Sequence, residues 1–314
     1  MNNMLLYISI GIYLIAIVII IFRTRQHDID QFKLLKTARE KYIEEIDQKY
    51  IFDKDIYNKN LSNIPLYIIN LPQSKVRKNF LEKQIQQFNI NNFKFIDAIY
   101  GKNKKPSIGK NMFQIPMNTQ KKIYFFNNDE NANDGEIGCT LSHLNAVRQA
   151  YNDGLEHVII CEDDVDLYWI KIWGDTISSI ISNAPKGWEY INLSKICIVD
   201  DSKNNYLKYS ENNCWTTASQ LWNRKGMKKI LDKCYKDNKF ILNKDWEKNT
   251  IVADYYIPHL INSYIYHINL FPTFNDEEGM KSTIHKSHGE HHIQESINNI
   301  KKLYNMFTTQ NIPK

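Results

Sequence analysis

The apolar run His157 to Cys161 (HVIIC) stops at three consecutive carboxylates, Glu162, Asp163 and Asp164. Strands of open α/β sheets present ligand-binding groups beyond their carboxyl ends, so these acids stand where a cleft would open. Side chains alternate along a strand, which lets Glu162 and Asp164 face one cleft while Asp163 turns away or meets a neighbouring loop. Carboxylate oxygens suit a hard divalent cation, and such a cation bridges an acidic site to phosphate groups. A solvated acidic turn is the use of the same residues that involves no chemistry.

The flanking pattern supplies elements to hold such a cleft. Ile64 to Leu71 reads as a strand, and Lys75 to Phe88 as a helix with Val76, Phe80, Ile85 and Phe88 on one side. Phe93 to Ala98 alternates as a second strand and closes a βαβ unit, for which a right-handed crossover is expected. Gly101 to Asp134 is rich in Asn and Lys and reads as an excursion or lid loop. Ile137 to Tyr151 has helical spacing and ends near Gly154, just ahead of the acidic strand. Ile170 to Ile181 and Arg224 to Tyr235 read as helices, Trp188 to Leu193 and Trp215 to Trp222 as strands. Strands alternating with helices predict an α/β domain with a mainly parallel or mixed sheet.

Glu-x-Asp at positions 162 to 164 is a version of the Asp-x-Asp arrangement of nucleotide-sugar transferases. Gly135-Glu136-Ile137-Gly138-Cys139-Thr140-Leu141-Ser142-His143, followed after a helix and a strand by Glu162-Asp163-Asp164-Val165, resembles the central signature of glycosyltransferase family 25. That family includes lipopolysaccharide glycosyltransferases and collagen hydroxylysine galactosyltransferases. Other pieces follow in the family's order: Ile69-Asn70-Leu71 with Arg77 shortly after, Phe95-Ile96-Asp97-Ala98, Arg224-Lys225-Gly226, Ala253-Asp254 and Ser282-Thr283-Ile284. Asn223 stands where the family often has Ser before Arg-Lys-Gly, and the Gln expected after Pro272 is absent.

The resemblance implies a GT-A fold, a Rossmann-like mixed sheet flanked by helices. It also implies inverting transfer of a hexose, galactose or glucose, from a UDP-sugar to an acceptor hydroxyl on a glycan, lipid-linked saccharide or hydroxylated protein, with a divalent metal such as manganese. By motif, Asn70, Leu71 and Arg77 belong to the nucleotide loop, and Ser142 and His143 approach the sugar or phosphate. Glu162 and Asp163 contact the nucleotide sugar, and Asp164 with Asp163 holds the metal. Asp254 lies in the apolar and aromatic run IVADYYIPHL, where a lone acid needs a reason to be present, and is the candidate general base. A metal-dependent nuclease or phosphohydrolase would also use clustered carboxylates, and a non-catalytic glycan-binding anchor protein is a third possibility.

The 314 residues fit one such domain and an appendage, which the sequence puts at the front. Leu5 to Phe22 carries no charge, and at 1.5 Å per residue a helix of that length reaches about 27 Å, so a single-pass transmembrane helix is expected. The expected organisation is an anchor at 1–25, a stalk or linker at 26–63, a catalytic domain at 64–290 and a C-terminal helix or tail at 291–314. Arg23, Arg25, Lys33, Lys36 and Arg39 all follow the span, which places the body in the cytosol by the positive-inside rule. Five scattered cysteines agree with reduced core thiols, whereas the sequons at Asn60 and Asn192 would matter only in a secretory lumen, the alternative location. The net charge of +5 is dispersed among acids and demands no nucleic-acid partner. His285, His288, His291 and His292 have ligand-like spacing, although a solvated segment is the simpler reading.

Overall fold

The computed structural model describes residues 2–101, 113–114, 134–195, 204–209, 216–243, 250–274 and 290–310. Their main sheet is built from β1 (Leu66–Asn70), β2 (Phe93–Asp97), β4 (His157–Glu162), β5 (Tyr190–Asn192), β6 (Tyr206–Lys208), β7 (Ser219–Asn223) and β10 (Ser263–Tyr266). The order is β2-β1-β4-β7-β5-β10-β6. β2, β1 and β4 run parallel, as do β5 and β10, while β7 and β6 run against their neighbours. A second, small sheet joins β3 (Phe113–Gln114), β8 (Tyr235–Lys236) and β9 (Lys239–Ile241). The expected α/β architecture with a mostly parallel central sheet is thus present, and the βαβ unit runs through α3 (Lys75–Gln87).

Both faces of this sheet are covered, which explains why β1 and β4 read as unbroken apolar runs. Leu66, Ile68, Ile159 and Cys161 enter one core with the 3₁₀ helix Leu167–Ile172 and α8 (Glu290–Gln310). Tyr67, Ile69, Val158 and Ile160 enter the other with α4 (Asp134–Asn152), α6 (Arg224–Cys234) and α7 (Ala253–His259). Gly154, at φ +78°, ends α4 in a Schellman turn: its N–H reaches Tyr151 O and the Leu155 N–H reaches Ala150 O. The chain is thereby turned directly into β4. Asn223 caps α6 by accepting a hydrogen bond from the Gly226 N–H at 2.8 Å. Asn and Ser are near-equivalent caps, so this departure from the family pattern preserves the local structure.

The single helix expected over Ile170 to Ile181 is instead two pieces, the 3₁₀ helix and α5 (Ile177–Ser182), separated at Trp173, Gly174 and Asp175. Asp166 and Thr176 each cap the piece that follows, and two cap residues so close together break the periodicity that the apolar spacing suggested. Of the excursion at Gly101 to Asp134, only Gly101, Phe113–Gln114 and Asp134 belong to the described residues. His285 and His288 and the side chains of His291 and His292 lie outside them.

At the front, α1 is one helix over Asn2–Lys49. Among the described residues no helix is long and apolar enough to cross a membrane. Within Leu5 to Phe22 only the side chains of Tyr13, Ile17 and Ile20 are described, so the expected span falls largely outside them. Residues read as stalk and linker are packed into the domain: Leu35 and Ile46 are 1% and 0% exposed and join the core, as do Tyr57 and Leu61 of α2 (Ile56–Leu61). A buried ion pair locks this docking. Asp166 accepts from Arg39 Nε at 2.6 Å and Arg39 Nη2 at 3.1 Å, from Gln84 at 2.6 Å and from the Trp169 indole at 2.8 Å.

Asp166→Ala would leave Arg39, Gln84 and Trp169 without their shared acceptor in a water-poor place. The expected loss is about 3–5 kcal/mol of unfolding free energy, measured by urea titration of the purified chain. A loss within ordinary surface-mutation scatter would show that α1 is not held through this pair.

Candidate active site

The carboxyl ends of β1 and β4 lie side by side, with Ile69 registered against Glu162, and the chain turns immediately after each strand. After β1, Leu71 to Ser74 form a tight turn closed by the Ser74 N–H on Leu71 O at 2.7 Å. This delivers Arg77, in the first turn of α3, toward the acids that follow β4. After β2 the chain passes so close to α4 that a Cβ on Gly138 would lie 2.6 Å from Gly101 N and from Ile99 O. Glycine in the Gly-Cys-Thr-Leu-Ser-His run is therefore a packing requirement. Ser142 secures the same crossing, accepting from the Ile99 N–H at 2.8 Å and donating to Gly138 O at 2.6 Å.

Between these segments opens a cleft lined by Leu71, Arg77, Tyr100, Cys139, His143 and the three acids among others. Strand β4 ends at Glu162, and Asp163 and Asp164 belong to the turn, so all three acids line the cleft instead of alternating strictly. Each has a different set of partners. Asp163 is buried and accepts from Arg77 Nη1 and Asn70 Nδ2, both at 2.7 Å, on its two oxygens. Arg77 Nη1 also lies 3.4 Å from Asp164 Oδ2, while Asp164 Oδ1 is buried without a hydrogen-bond partner among the described residues. Glu162 Oε1 meets His143 Nε2 at 3.2 Å and accepts from the Thr217 hydroxyl at 2.9 Å.

These surroundings push the acids apart electrostatically. Burial, reinforced by the charges of Glu162 and Asp163, raises Asp164 to about 7 in spite of Arg77. Burial also raises Asp163, against the opposing pull of Arg77 and Asn70. Glu162 meets the same burial, yet the hydrogen bonds from His143 and Thr217 and the charge of Arg77 hold it below the ordinary glutamate range. Asp254, in the first turn of α7, faces this group: its Oδ1 lies 3.1 Å from the Thr217 hydroxyl, and burial with the Glu162 charge raises it to about 6.

The structure therefore brings Asn70, Leu71, Arg77, Ser142, His143, Glu162, Asp163 and Asp164 to one cleft, with Asp254 joined through Thr217. Ser142 and His143 are buried, Ser142 bonding backbone and His143 bonding Glu162 and Gln220. Thr217, Gln220 and Cys139 were not singled out as site residues by sequence reasoning. A Gln directly before Leu221 and Trp222 in the run read as a strand is the one signal in the sequence that points there. The Cys139 thiol, a His143 ring nitrogen and a Glu162 oxygen lie within 4.8 Å of one another, a trio whose atom types would suit a transition metal.

Arg77→Leu would leave Asp163 and Asp164 buried together without a cation. Their folded pKa values would rise further above the unfolded value, a penalty present where both are ionised and relieved as pH falls through the raised values. A stability deficit of about 3–5 kcal/mol at pH 8 that shrinks toward pH 5 is expected from denaturation at both pH values. A deficit independent of pH would mean that Arg77 acts by packing alone.

A parallel βαβ start, an acid-ended central strand and a cleft at the strand ends are the setting in which α/β enzymes bind nucleotides. No curated protein matches the chain. The model of glycosyltransferase family 25, described as a lipopolysaccharide biosynthesis protein, matches residues 63–246, more than half of the chain, and spans β1, Asn70, Leu71 and Arg77, the Gly-Cys-Thr-Leu-Ser-His helix and the three acids. The chain belongs to glycosyltransferase family 25 and is a glycosyltransferase.

Proposed function

We propose that this glycosyltransferase has a GT-A fold and moves a hexose, galactose or glucose, from a UDP-sugar to an acceptor hydroxyl on a saccharide or hydroxylated protein, with inversion and with help from a divalent metal such as manganese. The observation that carries the reading is the buried Asp164 Oδ1, which has no hydrogen-bond partner among the described residues and belongs to a residue that lines the cleft with Glu162, Asp163 and Arg77. An orphaned carboxylate oxygen in such a place fits a cation. Asp164 would be the ligand, with Asp163 beside it, each of whose oxygens already accepts one hydrogen bond, from Asn70 and from Arg77. When bound, the metal supplies positive charge for the diphosphate of the donor.

The chain's own residues account for the rest. Leu71 and Arg77 line the cleft, and the Arg77 guanidinium, held with Asn70 on Asp163, adds fixed positive charge beside its phosphate-binding end. In the transfer, an acceptor oxygen forms a bond to the anomeric carbon, the bond from that carbon to the UDP oxygen breaks, and the acceptor proton must leave. Asp254 is the acceptor of that proton: raised to about 6, it is ionised at neutral pH yet more basic than an exposed aspartate.

We further propose that Leu5 to Phe22 anchors the protein in a membrane with its body in the cytosol. Asn60 is buried and donates to Ile170 O at 2.6 Å, and Asn192 is buried and donates to Thr216 O at 2.7 Å, so neither sequon is open to glycan addition in the folded domain. Cys139, Cys161 and Cys234 are free thiols, which suits a reducing compartment.

Two outcomes are expected. Asp254→Asn should lower turnover roughly a hundredfold or more with UDP-sugar affinity nearly unchanged. In the wild type, kcat/KM should climb as pH rises through about 6 and the variant should lack that limb. Donor affinity falling in step with rate would move Asp254 into the donor site. Protease added to sealed membranes from expressing cells should digest the body where the cytosolic face is outward; a protected, glycosylated body would reverse the orientation.

A further inference from the structure

A line of polar side chains runs under the cleft from the core to Glu162, and its hydrogen atoms can be assigned from donors that have no alternative. The Trp222 indole N–H can only donate, and it lies 3.0 Å from Gln220 Oε1. That contact fixes the amide of Gln220, a fully buried residue, with its oxygen toward Trp222 and its NH₂ the other way. The NH₂ then donates to Thr217 O at 3.2 Å and to His143 Nδ1 at 3.2 Å. Turning the amide over would set two N–H groups against each other at Trp222 and two oxygens at Thr217. An Nδ1 that accepts a hydrogen bond carries no proton, so the proton of the neutral ring sits on Nε2, which points at Glu162 Oε1, 3.2 Å away.

Glu162 is thus held by one oxygen only. Oε1 receives His143 and Thr217, while Oε2 has no hydrogen-bond partner among the described residues, and the side chain, 28% exposed, lines the cleft. We infer that Trp222, Gln220 and His143 form a one-way hydrogen-bond chain that keeps His143 neutral with its proton on Nε2 and aims Glu162 so that its second oxygen accepts a hydroxyl of the transferred sugar. His143 is then a positioning residue. Both of its nitrogens are spent inside the protein, so it is neither a phosphate contact nor, with Cys139 and Glu162, a transition-metal ligand. The assignment to a sugar hydroxyl rests on the UDP-hexose reading; the assignment of the chain does not.

The full-length protein, labelled with ¹⁵N in its histidine rings, tests the chain without any substrate. Among nine histidines the His143 signals are identified by their loss in His143→Gln. A neutral ring with a protonated Nε2 and a bare Nδ1 is expected, and Gln220→Glu, which places an acceptor beside Nδ1, should add a proton there. A wild-type ring protonated on Nδ1 overturns the chain, as does zinc that shifts the ring nitrogens on titration. Calorimetry with UDP and with UDP-galactose or UDP-glucose in the presence of manganese tests the hydroxyl: Glu162→Gln should lose roughly ten- to a hundredfold of the affinity that the hexose adds, with UDP binding kept. His143→Leu should lose the same increment, and His143→Gln, whose amide can still donate, should restore most of it. Equal losses on UDP and UDP-sugar overturn the hydroxyl assignment. Failure of the wild type to bind UDP removes the donor reading and the hydroxyl with it, while the ring spectrum still decides the chain.

Discussion

Burying carboxylates beside one another is the constraint around which this domain is arranged. Ionised groups leave water only when cations and hydrogen-bond donors replace the hydration they lose. Between Glu162 and Asp166 the chain carries four acids, and the fold recruits donors to them from distant stretches of sequence. Arg77 and Asn70 come from the first βαβ unit to Asp163, His143 and Thr217 come to Glu162 from opposite sides, and Arg39 comes to Asp166 from the long N-terminal helix. Asp164 alone keeps a buried oxygen with no hydrogen bond among the described residues.

The same constraint ties the front of the chain to the site. Arg39 and Asp166 lie 127 residues apart in sequence, and Asp166 is two residues beyond Asp164. Removing the helix that carries Arg39 would leave the buried Asp166 carboxylate without its cation at the base of the acidic turn, held only by Gln84, the Trp169 indole and the Tyr168 N–H. What precedes the family-matched region at residue 63 is therefore structural support for the cleft, with Leu35 and Ile46 in its core.

Much of the sheet was legible because buried strands and amphipathic helices have different periods. β1, β2, β4, α3 and α4 fall close to the sequence expectation, since each is a continuous apolar run, an alternating one or a regular 3.6-residue pattern bounded by turn residues. The short strands β6 and β10 were not found, because three or four residues of pattern carry too little information and their pairing is entirely long-range. At the site, the acids and Arg77 were legible by type and motif. Thr217 and Gln220 were not, because a threonine beside an apolar strand and one glutamine within it look like ordinary surface residues until the partner strand shows that both lie beneath the cleft. Asp166 escaped for a related reason: its role depends on an arginine that no local pattern connects to it.

Thr217 joins the two halves of the acidic centre in a way that limits their charge. Its hydroxyl owns one hydrogen, yet it lies 2.9 Å from Glu162 Oε1 and 3.1 Å from Asp254 Oδ1. One carboxylate can take that hydrogen. The other faces a lone pair, a contact that is favourable only when that carboxyl itself carries a proton. Glu162, already aided by His143, is the better recipient, and Asp254 is the one driven toward protonation. The pair is therefore biased to hold its negative charge on the Glu162 side and to take up its next proton on the Asp254 side, the separation of duties expected when two neighbouring acids occupy unlike environments. An acid placed to gain a proton lies one hydroxyl away from an acid placed to remain an acceptor, and the segment that holds Thr217 between them runs directly into β7, whose Gln220 and Trp222 orient His143.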